Sequence, residues 1–149
     1  MSEIDAPSPL AVPPAPFRLL PLIDDLNKAY WTGGERGELR FWRCQACHYW
    51  IHPPSPRCPA CLSKDLAVEA ASGRAVVHTF TVNHQAWMPG LEPPFVVAIV
   101  ELAEQDGLRL TTNVLDVDPA DVFVGMPVEV RFEHHDDVWI PVFVPGATQ

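Results

Sequence analysis

Four cysteines carry the strongest chemical signal in this chain. Cys44 and Cys47 form one Cys-x-x-Cys pair, Cys58 and Cys61 form a second, and the sequence has no other cysteine. Two sulfurs three positions apart on a tight turn point at a common locus, and two such turns brought together supply four thiolates to one tetrahedral ion. The pattern predicts a single structural Zn²⁺ held by Cys44, Cys47, Cys58 and Cys61, a closed set with no position left for a substrate. The loop between the pairs is shorter than in most zinc ribbons, and Pro53, Pro54 and Pro56 stiffen it.

Other chemistries of the same sulfurs fit less well. Disulfides need an oxidising compartment, and residues 1 to 21 have neither the basic start nor the apolar core of a signal peptide. A redox pair needs a βαβ context, which the pattern does not show. Iron in a rubredoxin-like knuckle stays open, because four thiolates bind it too. Zinc is favoured because His48 and Leu62, rather than glycines, follow the two pairs. His48 and His52 are read as surface groups or as support for the ligands.

Elsewhere the chain offers little for catalysis. No serine follows Ser72 and no cysteine follows Cys61. His78 reads as a packed or sheet-surface histidine, and His134-His135-Asp136-Asp137 as a solvated turn, since neighbouring strand residues face opposite ways. No nucleophile, base and oxyanion donor come together, so the expectation is a non-catalytic protein.

These cysteines must be positioned by other elements, and 149 residues allow one domain or two small ones. Residues 1–21 hold six prolines and predict a disordered arm. Apolar residues at 22, 23, 26, 29 and 30 predict a helix, within a segment bounded at 22–36 and stopped by Thr32-Gly33-Gly34. Residues 37–71 form the ribbon: Leu39 to Arg43 leads into the first knuckle, Tyr49 to His52 returns, and Leu66, Val68 and Ala70 lead out. Trp42 and Trp50 are expected to cover the metal.

From 72 to 145 the pattern is all β, with a short tail at 146–149. Five strands are predicted at 75–82, 95–102, 108–114, 128–133 and 138–144. Asp118 and Pro119 start a single helical turn between the third and fourth. That order is the order of an OB-fold barrel. The fold class is therefore mainly β: an N-terminal helix, a rubredoxin-like zinc ribbon, then a five-stranded OB-fold.

Charge is divided unevenly. Residues 1–74 hold eight Lys/Arg and eight Asp/Glu, whereas 75–149 hold two and eleven, so the net charge of −9 lies in the barrel half. Nucleic-acid binding draws on cations that displace counterions, and this half has few. No apolar run approaches membrane-spanning length, and a cytoplasmic protein is expected. Trp87, Met88 and Leu91 sit in a loop, where they either fold back over the barrel mouth or meet a partner.

Several of these features occur together in one family. A helix ending near Tyr30-Trp31 and Gly33-Gly34 is followed by Leu39 to Arg43 and by two knuckles flanking Pro53-Pro54. Then come Ser72-Gly73, Pro89-Gly90, Pro93 to Leu102 and Gly125-Met126-Pro127-Val128-Glu129-Val130. Over residues 22 to 145 the chain resembles the DUF35 zinc-ribbon/OB-fold proteins, departing from them at His48, where glycine is frequent.

The resemblance implies a small accessory subunit of a thiolase-fold protein acting on acyl-CoA: an aldolase, including lipid-transfer-protein-like aldolases of steroid side-chain degradation, or an acyltransferase. It also implies association with a MaoC-like hydratase, hence a hetero-oligomer in which the OB part lies near the CoA ester. Leu26, Tyr30, Trp31, Trp87, Met88 and Leu91 are the expected partner or acyl-CoA surface. The rival readings are a stand-alone acyl-CoA-binding protein and a single-stranded nucleic-acid-binding module.

Overall fold

A computed structural model describes residues 18–90 and 92–147. The proposed arm up to residue 17, the loop residue Leu91 and the last two residues lie outside them.

Residues 18–24 have no regular secondary structure. The predicted helix is then much shorter than its apolar spacing suggests: α1 spans Lys28–Thr32 and continues as a 3-10 turn over Gly33–Arg36. Local side-chain chemistry shapes the turn that precedes it. The Asp24 carboxylate accepts from the N–H groups of Leu26 and Asn27, each at 2.8 Å, while the Asn27 carboxamide oxygen accepts from the Asp24 N–H at 2.9 Å. These bonds close a turn over Asp24–Asn27 ahead of α1, whose N-cap, Asn27, makes no side-chain capping bond of its own. Leu22, which the spacing placed on the apolar helix face, is left outside and 92% exposed.

The α-helix stops where expected, at Thr32 with Gly33 as its C-cap, but Gly33 and Gly34 do more than end it. They permit close approach: a Cβ on Gly34 would collide with Trp139 and Phe132, and one on Gly33 with the Glu38 carbonyl. The left-handed Gly37, at φ 70°, ends the 3-10 turn.

The ribbon is a three-stranded antiparallel sheet of β1 (Leu39–Cys44), β2 (Trp50–Ile51) and β3 (Leu66–Ala71), with β1 central. Leu39 pairs with Ala71 at one end of β1 and Cys44 with Leu66 at the other.

The second sheet closes into a barrel of β4 (Arg74–Asn83), β5 (Phe95–Leu102), β6 (Arg109–Val114), β7 (Pro127–His135) and β8 (Val138–Pro145). Their order round the barrel is β4-β5-β6-β8-β7, with β6 and β8 parallel at Val114 and Phe143. These five strands match the predicted ones closely. The predicted turn is also present, at Pro119–Asp121, with the Asp118 carboxylate accepting from the Ala120 N–H at 2.9 Å.

Alternation sets the barrel interior: Val96, Ala98, Val100 and Leu102 of β5 are buried, as are Leu110, Thr112 and Val114 of β6. Thr112 is tolerated there because its hydroxyl donates to the Pro141 carbonyl at 3.0 Å. His134 and His135 belong to β7 rather than to a turn. The His134 ring stacks on Trp139 at 4.1 Å, and His135 lies 3.3 Å from Glu133.

Ribbon and barrel are fastened together. Tyr30, Leu39, Phe41 and Trp50 share one buried cluster with Leu102, Leu108 and Val128 of the barrel. The Gln105 carboxamide, from the β5–β6 turn, accepts from the Trp50 N–H at 2.8 Å and donates to the Trp50 carbonyl at 3.0 Å. It thereby occupies the outer edge of the two-residue strand β2 in place of another strand.

Candidate metal centre and partner surface

Each knuckle is the same turn, made twice. Cys44 N–H donates to the Tyr49 carbonyl and His48 N–H to the Cys44 carbonyl; Cys58 N–H donates to Ser63 and Leu62 N–H to Cys58, all at 2.9 Å. The turn needs a left-handed residue after its second cysteine, and His48 (φ 65°) and Leu62 (φ 66°) take that conformation although neither is glycine. The departure at His48 therefore leaves the knuckle geometry intact.

The four Sγ atoms lie within 4.8 Å of one another, with Cys44–Cys61 and Cys47–Cys58 each at 3.6 Å. A tetrahedron with Zn–S bonds of about 2.3 Å has edges of roughly 3.8 Å, so the cage fits one such ion. Cys44 and Cys58 are buried, Cys47 and Cys61 exposed. The Cys47 and Ala60 N–H groups point at the Cys44 and Cys58 sulfurs from 3.5 and 3.4 Å.

The sulfurs are unequally disposed to ionise. The Cys47 N–H, helped by that of Ala46, draws the Cys44 thiol down to about 6 against its burial. The Tyr49 N–H lowers Cys47, yet burial and the sulfurs of Cys61, Cys58 and Cys44 outweigh it and hold that thiol at about 12. Cys61 is also raised: Cys44, burial and Cys58 prevail over the Ser63 N–H and Cys47. A bound dication removes this inequality and stabilises all four thiolates.

Of the two tryptophans expected over the metal, Trp42 packs against the Cys44, Ile51 and Cys58 cluster, and its indole N–H donates to the Leu26 carbonyl at 2.7 Å. Trp50 instead joins the core shared with the barrel, under the Arg43 guanidinium, 4.6 Å above its ring. It faces that core because neighbouring strand residues point opposite ways. His52 supports no ligand directly. It lies between the rings of Tyr30 and Phe41, at 4.9 and 5.3 Å, with its buried Nδ1 unpartnered, and burial pushes the imidazole down to about 4.

The expected partner residues are scattered. Tyr30 is 8% exposed and belongs to the core, where burial pushes its phenol up. Leu26 and Trp31 are half-buried beside it, and Trp31 meets Tyr30 edge-on at 4.8 Å. Trp87 does not fold back over the barrel: it is 68% exposed and donates to the Asn83 carboxamide oxygen at 3.1 Å. Met88 is half-buried, and Leu91 lies outside the described residues. Sequence patterns missed Leu19 and the Phe123-Val124 pair, all well exposed; Phe123 and Val124 had been legible only as apolar residues between strands.

Residues 31–67 match the ChsH2 rubredoxin-like zinc ribbon domain, and 68–133 the ChsH2 C-terminal OB-fold domain. A "DUF35 domain-containing scaffold protein" of Methanothermobacter thermautotrophicus is 33% identical over 100 residues, which cover 66% of this chain and 74% of that protein. The chain belongs to the DUF35 family. Its ribbon is accordingly a zinc ribbon and its barrel an OB-fold.

Among solved structures, this DUF35 chain is similar to a chain of "Ltp2-ChsH2(DUF35) aldolase", with a TM-score of 0.76 and 36% identity over 85% of this chain and 98% of that one. It is also similar to two longer proteins. A "Probable enoyl-CoA hydratase alpha subunit" of Thermomonospora curvata is 36% identical over 137 residues, covering 91% of this chain and 42% of that one. A "3-oxo-4,17-pregnadiene-20-carboxyl-CoA hydratase alpha subunit" of Mycobacterium tuberculosis is 38% identical over 103 residues, 69% of this chain and 32% of that one. The DUF35 chain thus spans less than half the length of either hydratase subunit. Among the described residues no helix is long and apolar enough to cross a membrane.

Proposed function

We propose that this chain is a non-catalytic subunit that binds and stabilises a thiolase-fold partner, an aldolase or acyltransferase acting on acyl-CoA, and helps shape its acyl-CoA site. The observation that carries the reading is the likeness to the DUF35 chain of an Ltp2-ChsH2 aldolase, which extends over nearly the whole of that chain. The zinc cage supports it physically. Four thiolates in tetrahedral contact leave no vacancy for a substrate, so zinc here sets the geometry between ribbon, helix and barrel.

The named relatives point to CoA esters, one of them a steroid side-chain ester, and their hydratase names make a MaoC-like hydratase a further associate. The partner surface in this reading draws on Leu26, Trp31, Trp87 and Met88, with Tyr30 holding the surface from beneath. Residues 22–36, 37–71 and 72–145 act as helix, ribbon and barrel units of one scaffold.

Co-expression with the host's Ltp2-type aldolase tests the proposal. A stable complex on size exclusion, with aldolase activity lost when this chain is omitted, is expected. An aldolase fully soluble and active alone, with no complex formed, would refute it.

A further inference from the structure

The segment from Arg18 to Ile23 is anchored at both ends by polar contacts and leaves Leu19, Leu20 and Leu22 exposed. At its start the Arg18 guanidinium grips the Glu133 carboxylate with two hydrogen bonds, at 3.0 and 3.1 Å, and donates to the Asn113 carboxamide oxygen at 2.7 Å. Both charged side chains are largely covered, 16% and 17% exposed, so this is a well-formed bidentate pair rather than a loose surface contact. At its end the Leu22 carbonyl accepts from the Asn27 carboxamide at 3.0 Å, and the Asp24 turn follows at once.

Between these two anchors Leu19 is 75% exposed and Leu22 92%, with Leu20 partly open beside them. The strap is therefore fixed by polar contacts on one side and buries little of its own leucine surface on the other. Anchoring of this kind lowers the ordering cost of burying the leucines against another molecule. The exposed Trp87 lies on the β4–β5 loop, and Phe123 and Val124 on the segment before β7.

The surroundings specify the occupant. Pro21 lacks an N–H, so a partner strand adding along this backbone would meet a gap in its hydrogen-bond ladder. Recognition must run through the side chains, as into a groove. Where the strap ends at Ile23 lies a hollow of about 380 Å³ lined by Ile23, Asp24, Asp25, Lys28, Thr32 and Asp137, three carboxylates against one ammonium. An apolar groove with a Lys/Arg rim complements this edge in both shape and charge.

We infer that Arg18–Ile23 is a docking strap whose Leu19 and Leu22 enter an apolar, basic-rimmed groove on a folded protein partner. The inference rests on the scaffold reading above, and assigns the principal contact to the strap rather than to the Trp87 loop.

The test measures affinity of the full chain for the purified Ltp2-type aldolase of its host by calorimetry, with hydrogen exchange of the complex. Leu19→Asp combined with Leu22→Asp is expected to weaken binding about 100-fold or more, while Trp87→Ala changes it by less than about 5-fold. Both leucines are exposed, so zinc content and thermal stability of the double variant stay as in the parent. Backbone amides of residues 18–23 gain protection in the complex.

Parent protein that binds, with a double variant that binds equally and no protection at 18–23, overturns the strap while leaving the scaffold reading standing. Parent protein that does not bind overturns both. Leucine-dependent self-association in sedimentation without aldolase shows a second copy as the occupant and also overturns the assignment.

Discussion

Replacing Gln105 with leucine should loosen the joint between ribbon and barrel. The carboxamide satisfies both polar groups of the Trp50 peptide, at 2.8 and 3.0 Å, and Trp50 is buried. Strand β2 has only two residues and pairs with β1 on one side, so its other edge has no strand to turn to. Leucine is similar in size but leaves a buried donor and a buried acceptor unpaired. Leaving a buried group unsatisfied costs about 1–3 kcal/mol, and partial rehydration at the seam brings the pair to about 2 kcal/mol in total. For a chain of this size that is a fall in Tm of roughly 4–8 °C.

Thermal unfolding of the zinc-loaded protein measures the loss, and native-state hydrogen exchange locates it at the Trp50 amide. Glutamate at the same position separates the two bonds: its carboxylate still accepts from the Trp50 N–H but repels the Trp50 carbonyl. A Tm change below about 1 °C with an unchanged Trp50 amide in Gln105→Leu would show that the clasp contributes nothing and that the shared core alone fixes the ribbon.

Four further outcomes follow from the same structure. His52 has a folded pKa near 4, below the ordinary imidazole value of 6.5, so the unfolded state binds the extra proton between these limits. Its contribution is fully present above pH 6.5 and is lost as pH falls toward 4, by up to about 3 kcal/mol. His52→Phe should flatten this acid slope in denaturant titrations, beyond any change shared with zinc loss, and an unchanged slope would remove His52 as its source. Leu62→Gly should raise stability by about 0.5–1 kcal/mol, because Leu62 is exposed and left-handed; a lower chemical-denaturation midpoint would contradict it. Gly34→Ala should destabilise by roughly 1–3 kcal/mol through collision with Trp139 and Phe132, and an unchanged midpoint would mean that the hairpin yields. Cys58→Ser should abolish partner binding by unfolding the ribbon, since structural zinc supplies on the order of 10–16 kcal/mol in ribbon-sized peptides. A variant without zinc that still forms the complex would show that the ribbon is dispensable.

The amino-acid sequence by itself determined what depends on nearest neighbours along the chain. Cys-x-x-Cys spacing dictates the two knuckles, strict alternation dictates the β5 and β6 faces, and Asp118-Pro119 dictates the turn between β6 and β7. In each case a periodicity of two or three residues already encodes which way side chains point. The left-handed conformation at His48 and Leu62 was not read from the sequence, because neither residue is glycine.

Tertiary structure decided what residues distant in sequence do to one another. Gly33-Gly34 read only as a helix stop because nothing nearby reveals Trp139, more than a hundred positions away, against which Gly34 packs. Tyr30 looked like a surface aromatic until Phe41 and His52 closed over it. Gln105 and Trp50, 55 residues apart, are joined by no pattern at all. The same holds for the strap, since apolar spacing counted Leu22 into a helix and only Arg18 meeting Glu133 shows that the chain is tied to the barrel there. Local spacing fixes the direction of a side chain, but its burial depends on what the rest of the chain brings against it.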